Sequence, residues 1–555
     1  MNFLTENPLL SAGSLLLALW LFIPGKFALL IETQKNRLQK NLPVLLLALM
    51  AAIYIFGYLL SPAWYTSYPE GTTGDNYRYA WSFLNTPRYY TPQHFYFPFI
   101  PGLLVKLLHF IGIIKTSYPG YPENIISGLS LVNRIFSIAG FAAVFFLLRL
   151  CRASLITSLS GSLLAALAWA CWFWNIQPNA RGFLITTGFI ALLFHVRAVK
   201  KPGFTSFIAA ALSAVLCVFT HIGGIYTSAG LGFSLLFFSI ISACKQQSLL
   251  PFARLLLYAA LLAVFGILFW FLAAEHFGTG NLNALYQRIA CPDYIGPADI
   301  NPLRFFLRLF KDGSRWCMTV FLGLIQHGRK NGIEKILIVI SLGSFFSLLM
   351  IIIKNYRKIL LTQGMLLLPP LCMFLSALAG FSIRTTGVEY YSAILPALAG
   401  LLLLLWAGAV PNGLFYQELL PLLLAAGMLG TNGFSSTRVS RFTQPADHII
   451  YRTLDQVRKA AGENKIIYCG TTGSEFVYNF EWIRKFYLEV PESPYRNIRW
   501  EKNLPSVRFA PRLSDQPGTY IINTGDYSEN QIRSLLTAAN VKKTAYSGNL
   551  LIIYH

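Results

Sequence analysis

Runs of about 20 apolar residues recur along the first 430 positions of this chain, and that recurrence constrains its fold more than any other feature. About 20 apolar residues is the length that carries a helix across a bilayer core. Backbone polar groups in lipid must be satisfied internally, which leaves helices or a closed barrel. Barrel strands alternate apolar and polar residues, whereas these runs are continuous. The runs fall at 8–31, 42–60, 128–148, 154–175, 182–199, 204–220, 222–243, 254–274, 333–353, 364–381, 390–408 and 415–431. The turn between 204–220 and 222–243 is very tight, so the count of spans is about twelve. Only 12% of the 555 residues are charged and 55% are hydrophobic; a soluble domain carries about 25% charge. A soluble enzyme, a disordered chain and a secreted disulfide scaffold are excluded, leaving an all-α polytopic membrane domain. The first run lacks a basic start and a small-residue cleavage site, so it reads as a span and not as a cleaved signal.

Lys plus Arg exceed Asp plus Glu by 45 to 23, a net charge of +22. No long Lys/Arg run is present, so the excess points to membrane orientation and not to nucleic acid. Lys35, Arg37 and Lys40, then Arg149 and Arg152, then Arg197, Lys200 and Lys201, then Lys245, then Lys354, Arg357 and Lys358 occupy alternate loops. That side is the cytoplasm of a multi-pass protein of the cell (inner) membrane. The opposite side receives 61–127, 275–332 and the C-terminal region, and both termini are expected there. The cysteines show no CxxC and no metal spacing; Cys151, Cys171, Cys217, Cys244 and Cys372 lie in or beside apolar runs and read as small core residues.

The domain division expected is 1–439, a membrane domain with long outer loops 61–127 and 275–332, followed by 440–555. Both loops exceed ordinary connectors. Segments 95–114 and 304–316 read as helices lying on the outer surface. From 440 onward, eleven of the 23 acids accumulate and no run is long enough to span. Segments 466–470, 519–525 and 550–554 look like buried strands. Segment 528–540 looks like a helix capped by Ser528, with another helix at 446–461. Together they suggest a soluble, extracytoplasmic α/β domain. GTTGSE (470–475) resembles half of a glycine fingerprint without its remaining parts and reads as a strand-to-loop turn.

Asp75 is the strongest candidate for chemistry. It is the only acid between Glu70 and Glu123, in a Gly/Thr turn beyond a span and ahead of many aromatics. A carboxylate beside a membrane is costly and more often functional than not; the alternative is an exposed loop acid or a helix N-cap.

The pattern of an Asp after an early span, an aromatic segment, and Pro98-Phe99-Ile100-Pro101 resembles the first outer loop of the GT-C glycosyltransferases. The likeness extends through 130–150, with Arg134 early in a helix, and 174–194, with Ala180-Arg181. It continues through 219–226, with Thr220-His221, and 380–402, with Arg384 ahead of Leu395-Pro396-Ala397-Leu398. These stretches are similar to the protein mannosyltransferase and aminoarabinose transferase branch. Two positions depart from the branch's pattern: Asn76 stands where many relatives have Glu, and Gly182 where an acid usually follows the Ala-Arg pair.

The resemblance implies an inverting enzyme that takes a sugar from a polyprenyl-phosphate donor to a lipid, glycan or protein acceptor. Such a donor has a good leaving group, so one carboxylate acting as base is enough, and cations stabilise the departing phosphate. Asp75 is then the catalytic base, and Arg134, Arg181 and Arg384 bind the donor phosphate. Asn76, His94, His221 and Glu389 contact substrate. Each has a plainer reading: Arg134 and Arg384 as interface snorkellers, His221 as a turn residue, Glu389 as an ion-pair partner of Arg384. Asp75, His94 and Glu389 could converge on a divalent ion, but no ligand spacing argues for one, and no cofactor is expected.

Two other classes compete. A transporter or flippase of a lipid-linked precursor should show paired broken helices in two related halves, and the sequence shows no half-to-half repeat. A non-catalytic assembly or sensor protein would leave the long Asp75 loop without a purpose. The orientation is open to direct test. A cysteine engineered within 440–555 should react with an impermeant reagent from outside and one at position 200 should not; the opposite pattern would reverse the topology.

Overall fold

The computed structural model describes residues 8–23, 25–59, 99–113, 123–176, 179–221, 223–276, 301–308, 332–383, 391–410 and 415–440, and, further on, 466–469, 500–503, 519–523, 528–538, 541, 543–547 and 550–554. The chain divides into two compact units, one built on 1–61, 85–104 and 129–436, the other on 62–84, 105–128 and 437–555.

The described helices are α1 (Pro8–Phe22), α2 (Lys26–Thr33), α3 (Lys35–Ala52, continued by a π-helical stretch Ile53–Leu59), α4 (Phe99–Phe110), α5 (Glu123–Leu150), α6 (Leu155–Leu167), α7 (Trp169–Asn175), α8 (Ala180–Lys200), α9 (Phe204–Thr220), α10 (Gly224–Gln246), α11 (Leu250–His276), α12 (Gly332–Lys354), α13 (Tyr356–Ile383), α14 (Tyr391–Ala409) and α15 (Phe415–Ser440). Seven described helices are long and apolar enough to cross a membrane, eight if α6 and α7 count as one bent span, and three shorter apolar stretches lie in α1, α9 and α14. The molecule is a multi-pass helical membrane protein; of the dozen expected spans, the described residues meet the full length test in these.

Two expected spans are interrupted. The run 8–31 is split into α1 and α2, with α2 starting after Gly25. The run 154–175 is bent by 60° where α6 meets α7. At the turn, Ala168 adopts φ −54° and ψ 131°, outside helical geometry. Elsewhere the apolar runs and the helices agree closely. Only Asn355 separates α12 from α13, and α13 continues through Pro369 and Pro370.

Helix α8 is the centre of the bundle. It packs on α7, α9, α10, α13 and α14, and most of its side chains are buried. It contributes Ala198 and Val199 to a core with Phe207, Ala210 and Ala211 of α9, Leu235 and Phe238 of α10 and Tyr258 of α11. A buried polar contact crosses this core: His195 Nδ1 donates to Ala191 O at 2.7 Å, and Tyr258 OH donates to His195 Nε2 at 3.1 Å. Such a pairing satisfies groups that would cost several kcal/mol if left bare in hydrocarbon.

In the second unit, β1 (Ile466–Cys469), β2 (Trp500–Asn503), β3 (Thr519–Asn523), β4 (Lys543–Ser547) and β5 (Leu550–Tyr554) form one sheet in the order β2-β1-β3-β5-β4. β1 runs parallel to β2 and β3, whereas β5 is antiparallel to β3 and β4. Tyr520, Leu551 and Ile553 are buried together beneath Ile532 and Leu536 of α16 (Glu529–Ala538). The N-terminus of α16 carries the cap expected from sequence. Gln531 N donates to Ser528 Oγ at 3.3 Å and Ser528 N to Gln531 Oε1 at 2.8 Å, a reciprocal capping box. The expected helix 446–461 and the GTTGSE turn lie outside the described residues.

Close backbone approach also shapes the bundle. A Cβ on Gly230 of α10 would fall 2.5 Å from both the Cys372 carbonyl oxygen and Met373 Cα of α13, so only glycine lets these helices meet. Gly230→Val should destabilise the protein by about 1–3 kcal/mol, read as a lower Tm in detergent. Gly266→Ala, with nothing within 4 Å of the new Cβ, should leave Tm unchanged or slightly raised.

Candidate functional site

One face of α5 is polar although the helix is otherwise apolar. Ser130, Asn133, Arg134 and Ser137 follow the i, i+3, i+4, i+7 spacing that places residues on one helical face, and all are buried. This face holds the segment between α7 and α8. Ser130 Oγ donates to Ile176 O, Arg134 Nη2 donates to the same carbonyl at 3.1 Å, and Asn133 Nδ2 donates to Asn179 O at 2.8 Å. Arg134 Nη1 reaches the other way, to Leu59 O at 3.0 Å, where the π-helical stretch after α3 ends. Tyr54 OH and Ser137 Oγ both donate to the Arg134 carbonyl, at 2.7 and 2.6 Å. Arg134 is therefore a tie between two chain ends, which the snorkelling alternative does not describe.

The held segment leads directly into α8. Asn179 is extended and caps the helix, its Oδ1 accepting from Arg181 N at 3.0 Å. Arg181 thus sits in the first turn of α8, where the helix dipole is already positive. Its guanidinium lies over the Trp174 ring, 4.4 Å from the centroid, and this stacking offsets part of the cost of burying the charge. Gly182 follows for a steric reason. A Cβ there would come within 2.7 Å of Trp174 O and 2.8 Å of Asn175 Oδ1, so an acidic side chain at this position has no room.

His221 occupies the turn between α9 and α10, outside both helices. The side chain is 1% exposed, against 3% for Arg181 and 4% for Arg134. Gly223 N donates to His221 Nδ1 at 2.9 Å, so Nδ1 is the acceptor nitrogen and the proton resides on Nε2. Burial, reinforced by the positive charge of Arg181, pushes its pKa down to about 3. His221 is consequently a neutral ring beside a cation, able to donate from Nε2 and not to carry charge at neutral pH.

Arg181 is near enough to His221 for its charge to act on the ring, and Arg134 holds Ile176 at the end of the helix whose Trp174 stacks on Arg181. Sequence reasoning missed Trp174, Asn133, Asn175 and Asn179. The signal for Asn133 was the polar stripe at helical spacing; for Asn179 it was a capping residue placed ahead of an apolar run. Among the described residues, Trp174 Nε1, Asn179 Nδ2 and Asn175 Oδ1 are buried without a hydrogen-bond partner. Two N–H donors, a buried guanidinium and a helix N-terminus in one place favour an anion. Asp75, Asn76, His94, Arg384 and Glu389 lie outside the described residues. Arg308 Nη1 donates to Ser382 O at 3.3 Å, at the end of α13 that leads to Arg384. Among the described residues, no group of three His, Cys, Asp or Glu gathers that could hold a metal ion.

The fold is that of a polytopic helical membrane protein. Solved structures of ArnT share this architecture. The chain is similar to the crystal structure of ArnT from Cupriavidus metallidurans bound to undecaprenyl phosphate, with a TM-score of 0.53 and 12% identity over 92% of this chain and 97% of that one. Against the apo-state crystal structure of ArnT from the same organism the TM-score is 0.42, again with 12% identity and the same coverage. No protein-family model matches the sequence, and no curated protein matches it at a significant level.

The neutral state of His221 has a measurable consequence. In the unfolded chain an imidazole titrates near 6.5, so the unfolded state binds more protons between about pH 6.5 and 3. Stability is full above pH 6.5 and falls as pH drops through that window. His221 should account for about 2 kcal/mol of the loss at pH 5 relative to pH 7, and His221→Gln should lose less than the wild type by that amount. Scanning calorimetry in detergent at the two pH values compares the proteins; identical pH slopes would show that His221 is charged or exposed in the folded state.

Proposed function

We propose that this protein is an integral membrane glycosyltransferase that moves a sugar from a polyprenyl-phosphate donor to an acceptor hydroxyl or phosphate at the outer face of the cell membrane. The observation that carries the reading is Arg181. It is a buried cation in the first turn of α8, stacked on Trp174, with unpartnered N–H groups on Trp174 and on the capping residue Asn179. The ArnT-like fold supports the same reading.

Asp75 takes the proton of the acceptor hydroxyl as its oxygen attacks the anomeric carbon. The bond from that carbon to the phosphate oxygen breaks, and polyprenyl phosphate leaves as an already acidic anion, with inversion at carbon. Arg181 and Arg384 meet the charge that accumulates on the leaving phosphate, and His221 adds a neutral donor. Arg134 has committed Nη1 and Nη2 to main-chain carbonyls; its share in phosphate binding is the field of its charge and not a bidentate fork. Asn76, His94 and Glu389 orient the substrates. The reaction needs no metal in this scheme, since proton removal and charge stabilisation both have residues assigned. Segments 95–114 and 304–316 wall the groove for the polyprenyl tail, and 440–555 forms an extracytoplasmic α/β domain.

A flippase would show two broken helices in related halves. Among the described helices two spans are interrupted, α1 with α2 and α6 with α7, but the sequence shows no half-to-half repeat, and the break at Ala168 leads into the anion-favouring turn, which suits a phosphate anchor better than an alternating gate. The test is Asp75→Asn, which removes the charge and keeps the shape. At matched expression it should lower kcat by about 10²–10⁴ while donor binding stays near wild type. Arg181→Ala should raise the donor KM as well, having lost a contact made before the transition state. Wild-type turnover in Asp75→Asn would place the base elsewhere, with Glu389 next to test.

A further inference from the structure

The bend between α6 and α7 has no local cause. Leu167, Ala168 and Trp169 contain no proline or glycine, and alanine is the best helix former. Left to itself this stretch would continue as one helix. Leaving helical geometry at Ala168 strips the preceding carbonyls of the N–H groups a continuous helix would supply.

Two side chains from distant parts of the fold take over. Tyr58, in the π-helical stretch after α3, donates its hydroxyl to Ala166 O. Asn432 of α15 donates Nδ2 to Leu167 O at 2.7 Å. Both residues are buried. The Tyr58 ring also meets Trp172 of α7 edge-on, 5.2 Å between centroids. A Cβ on Gly57 would fall 2.3 Å from Trp172 Cη2, so α7 is seated on this stretch as well as hydrogen-bonded beside it.

The consequence runs along α7. Its far end carries Trp174 under Arg181 and is followed by Ile176, whose carbonyl receives Ser130 and Arg134. We infer that Asn432 and Tyr58 are positioning residues: they hold the break at Ala168, and through it set Trp174 beneath Arg181 for phosphate binding. Neither touches Arg181 in the contacts described above. The part concerning phosphate rests on the function proposed above.

The test uses the full chain in nanodiscs, with a long-chain polyprenyl phosphate as probe and amide hydrogen exchange as a second readout. Asn432→Leu removes the donor and keeps the bulk, and Tyr58→Phe is the milder change, losing one hydroxyl. Each should alter exchange at 169–171 and leave 155–163 as in wild type. Asn432→Leu should weaken probe binding about tenfold, the scale of one buried hydrogen bond, and Asn432→Gln, which retains the amide donor, should recover part of it. In an Arg181→Ala background the same Asn432→Leu change should cost less than twofold, because its route to the phosphate is gone. Unchanged exchange at 169–171, a change spread evenly over both helices, or a full tenfold loss in both backgrounds would overturn the inference. Altered exchange at 169–171 together with wild-type binding by Arg181→Ala would instead retain the anchoring of the break and remove Arg181 from phosphate binding, so the two claims fail separately.

Discussion

A carbonyl inside a bilayer has no water to turn to. Every departure from regular helix must therefore be met by a side chain, and that constraint organises this structure. Where α6 breaks, Tyr58 and Asn432 supply donors. Where the chain leaves α7, Ser130, Asn133 and Arg134 supply three more. These five polar side chains thus serve irregular backbone. Two of the irregular stretches, at Ala168 and at Ile176, lie at the two ends of α7, just ahead of Arg181. With the Ile176 and Asn179 carbonyls both held from α5, the start of α8 presents its buried guanidinium in a defined place.

The balance of charge at this turn follows from the same economy. Arg181 lies in the first turn of a helix whose dipole opposes it, and His221 beside it is held neutral. Trp174 stacking compensates in part, worth about 2 kcal/mol or more when desolvated. On the function proposed above, the donor phosphate is the anion that this arrangement receives. No acid can stand next to Arg181 at position 182, because the backbone of Trp174 leaves no space there for any side chain.

Much of this was legible in the sequence. Apolar runs located most of the helices to within a few residues, because lipid exposure demands continuous apolarity, and the tight turn at His221 followed from two runs lying so close. The strands at 466–469, 519–523 and 550–554 were visible as short β-branched or aromatic runs. WEKN (500–503) and KTAYS (543–547) were not, being polar strands without an apolar period. The bend at Ala168 was also invisible, since its cause lies about 110 residues upstream and 264 downstream, in Tyr58 and Asn432. Arg134, Arg181 and His221 were recognisable as polar residues near the ends of apolar runs. Their division of labour was not, because it depends on which carbonyls and rings surround them.

The central claim is chemical: a sugar leaves a polyprenyl phosphate and joins an acceptor. The direct measurement reconstitutes the purified protein in liposomes with a polyprenyl-phosphate sugar labelled in the sugar and follows both the label and the leaflet of the lipid. The account predicts that label passes to an added envelope-lipid or glycan acceptor while free polyprenyl phosphate accumulates in equal amount. Label that stays on the polyprenyl lipid while the lipid changes leaflets would contradict it and make the protein a translocator.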